Sequence, residues 1–177
     1  MIVRSLALFA VTTLASSAAA ANPQGHVAVR TAVCGAGSDA VWEETRFCNA
    51  VVGDLLFGRA RNGDFGLGPF AEVSTAGFWD ARYGGGLSVL APVTSDFPLV
   101  LSLGVFGHET ESAALGAALF FGLRSYNFHG AYNLAAGAVV SAYRDLTAEH
   151  ATLVTVGLEL DAVLLAMPFL FAAGELH

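Results

Sequence analysis

From Phe97 to Tyr126 the chain reads FPLVLSLGVFGHETESAALGAALFFGLRSY, with apolar side chains recurring at every second position. Leu99, Leu101, Leu103 and Val105 share one parity, and Ser102, Gly104, Phe106 and His108 share the other. Beyond the polar break GHETES, Leu115, Ala117, Leu119, Phe121 and Leu123 alternate with Gly116, Ala118, Phe120, Gly122, Arg124 and Tyr126. A strand sends successive side chains to opposite sides, so this pattern predicts two long strands with one apolar face and one mixed face. A sheet in a soluble protein buries the apolar face. A sheet closed around a lumen inside a membrane turns that face outward, to lipid.

The rest of the chain supports the second arrangement. Strand-like segments fall at about His26–Val33, Phe47–Arg59, Phe65–Thr75, Arg82–Val93, Leu99–Glu109, Ser112–Tyr126, Ala131–Arg144 and Ala151–Val163. Each is near or above the 9–11 residues that a tilted strand needs to cross a bilayer, and an even number suits a single-chain barrel. Arg61-Asn62-Gly63-Asp64 predicts a tight type I′ hairpin. With Thr94–Asp96 and Asn127–Gly130, it gives short turns at one end. Longer, more acidic connections lie at the other: Cys34–Cys48, Gly77–Ala81, Gly107–Ser112 and Asp145–His150. Aromatic residues such as Phe47, Phe57, Tyr83, Phe97, Tyr126 and Phe128 gather near segment ends, where interfacial girdles belong. The stretch VVGDLL alternates poorly. The run from Leu160 to Gly174 contains Met167-Pro168 and is open to reading as strand extension, short helix or plug.

Composition agrees with an all-β, antiparallel, up-and-down transmembrane barrel. The chain is 55% hydrophobic and 13% charged, contains no lysine, and has a mean hydropathy of +0.60. Its net charge of -7 makes nucleic acid a poor partner. Twenty glycines fit a helical bundle badly.

The opening MIVRSLALFAVTTLASSAAAA has a basic start at Arg4, a short apolar run and small residues at an A-x-A site. It predicts a secretory signal peptide over residues 1–21, with a barrel domain over 22–177. An exported chain meets oxidising conditions, so Cys34 and Cys48 are expected to form a disulfide closing the first loop.

In architecture the chain resembles the small bacterial outer-membrane β-barrel proteins, the eight-stranded size class of OmpA-, OmpX- and OmpW-like barrels. The resemblance implies an outer-membrane location in a Gram-negative envelope and lipid as the surrounding partner. It rests on strand number and patterning, without a residue-by-residue motif. Such barrels usually end on an aromatic residue, whereas here Phe169 and Phe171 precede a tail, AAGELH.

The mixed faces carry Glu72, Arg82, Arg124, Glu159 and Asp161, with Tyr126, Asn133, Tyr143 and Asp145 beside them. An eight-stranded barrel is just wide enough for side chains to fill. Charges inside it must pair, and the expected pairs are Arg82 with Glu72, and Arg124 with Glu159 or Asp161. Trp42, Glu43 and Glu44 in the first loop, with His108, Glu109 and Glu111 in the third, are the candidate contacts for an extracellular or envelope protein.

The residues point to no enzyme, no cofactor and no metal site. Ser125 with His129 lies by a short turn, the wrong side for outer-leaflet lipid A. His108 with Ser112 lacks an evident orienting group or oxyanion donors. Four other readings remain: a narrow pore, a lipid A-modifying enzyme, a soluble periplasmic barrel binding an apolar ligand, and a helical inner-membrane protein.

Overall fold

A computed structural model of the chain describes residues 23–38, 42–77, 80–108, 113–127, 131–146 and 151–174. The predicted leader lies outside them. Eight strands follow in order: β1 (Gln24–Gly37), β2 (Glu44–Leu56), β3 (Gly66–Ala76), β4 (Asp80–Pro92), β5 (Pro98–His108), β6 (Ala113–Asn127), β7 (Tyr132–Asp145) and β8 (Thr152–Asp161). Each pairs antiparallel with the next, and β8 pairs with β1, so the sheet closes into a barrel. Among the described residues one helix, α1 (Ala162–Gly174), follows β8. We call the end holding the start of β1 the lower end and the opposite one the upper end.

The alternation read from sequence becomes an outer wall and an inner lining. Val27, Val51, Leu67, Leu87, Leu103, Leu119, Val140 and Leu158, one from each strand, are all 41–62% exposed on the outside. Facing inward, Arg30, Glu72, Arg124, Glu159 and Asp161 are buried. A soluble barrel that holds an apolar ligand needs the reverse arrangement. Among the described residues no helix is long and apolar enough to cross a membrane, which bears on helices and not on strands.

Two irregularities of sequence have structural causes. VVGDLL does alternate: Val51 and Leu55 point outward, while Val52 and Leu56 are buried inside and Asp54 joins the lumen charges. Both faces look apolar because the lower lumen is itself lined by Leu56, Leu90, Val100, Phe120 and Ala135. Beyond Leu56 the chain bends at Gly58, whose φ of 85° suits a residue without a Cβ. The predicted type I′ turn is absent, since neither Asn62 nor Gly63 takes a positive φ. Instead the Asp64 carboxylate accepts the N–H groups of Ala60 and Arg61, and the connection runs through 57–65. The lower end is therefore not made of tight turns alone.

Cys34 and Cys48 are disulfide-bonded, with Cα atoms 5.9 Å apart. Cys34 lies opposite Arg46, and Cys48 opposite Ala32, so the bridge links neighbouring inward positions of β1 and β2. It staples the wall of the barrel, and both strands continue above it to Gly37 and Glu44. Replacing both cysteines with serine is expected to lower stability by about 3 kcal/mol, the chain-entropy value for a loop of this size. Urea unfolding of the folded barrel in detergent, with and without reductant, measures the difference.

Candidate functional site

The inward charges form a network across the barrel. Arg30 of β1 donates through Nε to Glu159 at 2.6 Å and through Nη1 to Glu72 at 2.5 Å. The hydroxyl of Tyr143 donates to the other oxygen of Glu72. One guanidinium thus links β1, β3 and β8, and Tyr143 adds β7. The Tyr143 ring meets Phe106 edge-on at 4.9 Å, and Phe106 in turn packs against Phe70 at 6.3 Å. Gly116 makes room for these rings, because a Cβ there would stand 2.3 Å from Phe106 and 2.9 Å from Tyr143. Beside Arg30 and Tyr143 remains a cavity of about 20 Å³, space for about one water.

Lower in the lumen, Nη2 of Arg124 on β6 donates to both carboxylate oxygens of Asp54 on β2, at 2.5 and 2.7 Å. His26 lies among three carboxylates, 3.4 Å from Asp54, 3.7 Å from Glu159 and 3.9 Å from Asp161. At the lower mouth, Arg59 reaches inward from the bend after β2 and donates to Gln24 at 3.2 Å and Asn133 at 3.0 Å. The Gln24 amide donates back to the Arg59 carbonyl at 3.0 Å. Below the charges this end is filled with side chains.

The ion pairs differ from those expected. Arg82 does not reach Glu72. It stands opposite Ser74, one inward position above the Glu72 level, and lies 3.8 Å from Asp80 and 5.9 Å from the Tyr143 ring centre. Arg124 does not take Glu159 or Asp161. Glu159 is occupied by Arg30, and one oxygen of Asp161 accepts the N–H groups of Val163 (2.7 Å) and Leu164 (3.4 Å), capping α1. Asp145 is half-buried at the upper end of β7, with its backbone N–H bonded to the Ala151 carbonyl. The Tyr126 side chain lies outside the described residues.

Sequence reasoning missed Arg30, His26, Asp54, Arg59 and Asp80. For the first two a signal exists, since His26, Ala28, Arg30 and Ala32 alternate with Val27, Val29, Thr31 and Val33. Arg59 carries none, because it enters the lumen from a bend.

At the upper rim, Asp80 accepts a hydrogen bond with His108 and lies 3.9 Å from Arg46, which in turn bonds Glu44. Glu44 is therefore a strand residue of the rim, where a loop position was expected, and His108 is the last residue of β5, within the segment Leu99–Glu109 read from the sequence. Glu109 and Glu111 lie outside the described residues. Glu43 is exposed beside Trp42, whose φ of 75° is unusual for a residue with a Cβ. The indole folds down against Gly35, where an added Cβ would meet the ring at 2.2 Å. Gly35 pairs with Thr45 directly above the outward pair Val33 and Phe47. Trp42 thus sits over the top of the apolar wall near Phe47, a place suited to an interfacial girdle. Substituting Gly35→Val is expected to push the indole off the wall and shift its emission to the red. Fluorescence in a Trp79→Phe background, which leaves Trp42 as the sole tryptophan, reads this directly.

No protein-family model and no curated protein matches the chain. Among solved structures it is similar to "De novo design of transmembrane beta-barrels" at 13% identity and a TM-score of 0.45, covering 78% of this chain and 97% of that one. It is also similar to "Solution NMR structure of de novo designed TMB2.3" at 13% identity and 0.43, covering 80% and 96%.

Proposed function

We propose that the chain is a non-enzymatic outer-membrane β-barrel with a sealed lumen, serving as a structural element whose upper loops make contacts at the cell surface. The observation that carries this is the inversion of its side chains: leucine and valine outside on all eight strands, ion pairs inside. In water that distribution is unfavourable, whereas in lipid it is the arrangement a spanning barrel needs. The signal-like start of the chain supports export, and the apolar outer wall then favours the outer membrane of a Gram-negative cell.

A structural role fits the lumen better than a pore. Arg30, Glu72, Glu159 and Tyr143 cross it at one level, Arg124 and Asp54 at another, and Arg59 with Gln24 and Asn133 fills the mouth. A bilayer containing the reconstituted protein is expected to show no unitary currents. Steady channels from the unmodified chain would refute the sealed lumen. For the surface role, replacing residues 38–43 with a short glycine-serine turn is expected to abolish adhesion or partner capture by cells while leaving barrel assembly intact. If every surface phenotype survives the exchange, the first loop is not the contact.

A further inference from the structure

We infer that α1 is embedded in the acyl-chain layer of the bilayer leaflet at the lower end of the barrel, an inference that rests on the membrane reading above. Its sequence, AVLLAMPFLFAAG, holds no charged or hydrogen-bonding side chain. A helix apolar on every side has no face suited to water, and such helices are buried in protein or in lipid. The barrel does not bury this one: Phe169 is 77% and Phe171 71% exposed.

The point of departure fixes what surrounds it. β8 ends at Asp161 opposite Ala28, while β1 starts lower, at Gln24. The helix therefore leaves the wall beside Leu160 and Val27, both outward and exposed, so its apolar surface continues that of the wall. Neither of the two uses open to it inside the barrel is vacant. The edge of β1 that β8 leaves uncovered is satisfied by Tyr132, whose hydroxyl accepts the Val27 N–H and donates to the Val27 carbonyl, each at 3.2 Å, and by the bond from Gly25 N–H to the Ala131 carbonyl at 2.8 Å. The lower mouth is already filled by Arg59, Gln24 and Asn133. α1 is thus neither a missing strand segment nor a plug.

Length sets the depth. At 1.5 Å per residue the helix extends about 20 Å, short of the roughly 30 Å hydrocarbon core, so it occupies one leaflet and does not span. With no charged face it differs from a helix that floats at the headgroups. Its one irregularity, Pro168, removes the N–H that would bond the Leu164 carbonyl.

The test uses the full chain in phosphatidylcholine vesicles. The only two cysteines are joined to each other, so an added cysteine can be labelled alone. A bimane is placed at Phe169→Cys, at Phe171→Cys as a second helix site, and at Leu103→Cys on the wall. Each is then quenched by lipids brominated on the acyl chain or by aqueous iodide. Loss of fluorescence to bromolipid at the helix sites comparable with that at Leu103, with little loss to iodide, is the expected result. Quenching at Leu103 by bromolipid but at both helix sites by iodide would overturn the placement of α1 and leave the membrane barrel standing. Helix sites shielded from both quenchers and cross-linking between copies would assign the helix to a second chain instead. A Leu103 probe untouched by bromolipid would refute the membrane reading itself.

Discussion

Replacing Arg30 with methionine is expected to destabilise the barrel by about 3–5 kcal/mol, the cost of leaving buried charges without their partner. Arg30 is the shared cation of Glu72 and Glu159, and both carboxylates are almost wholly buried. Without it, two anions face each other across a lumen too full to admit bulk water. The triple variant Arg30→Met, Glu72→Gln, Glu159→Gln is expected to recover much of the loss, because it removes the charges together. Urea unfolding of the folded protein in detergent micelles compares the three chains. A cost below about 1 kcal/mol for the single substitution, the range of exposed pairs, would mean the network is open to water.

Leu103→Arg is expected to cost about 2–4 kcal/mol in a bilayer, the range for a cation on the lipid face near the midplane. Leu103 is 55% exposed in the middle of β5, opposite Leu87 and Ala117. If that wall faced water instead, the same change would cost about 0.5 kcal/mol or less, as surface substitutions do. Unfolding in vesicles distinguishes the two, and Leu119→Arg on β6 provides an independent position on the same wall.

Much of this architecture is legible in the sequence because a period of two is a local property. The faces of the third to eighth segments follow from parity alone, and a barrel inverts their meaning without disturbing it. Partners inside the lumen are not local. Arg30 finds Glu72 two strands away, and Arg124 finds Asp54 on a strand it does not adjoin. These contacts depend on the tilt and stagger of the closed sheet, which alternation does not encode. VVGDLL misleads because apolar residues line the lower lumen as well as the wall. Asn62-Gly63 misleads because the Asp64 side chain organises a wider turn that carries Arg59 into the mouth. The change from β8 to α1 has visible components in Asp161, a helix-capping residue, and Pro168, a poor strand residue. Their combination is decisive only because Tyr132 already occupies the edge of β1.

A closed sheet whose outer wall belongs in lipid has a simple signature: folded, it resists SDS until it is heated. Gel mobility of membrane-extracted protein with and without boiling, with circular dichroism on the same sample, reads that signature. Extraction is expected to require detergent, the spectrum to be of β type, and the unboiled band to migrate apart from the boiled one. Release without detergent, a helical spectrum, or a single band under both conditions would show that the chain is not a membrane barrel.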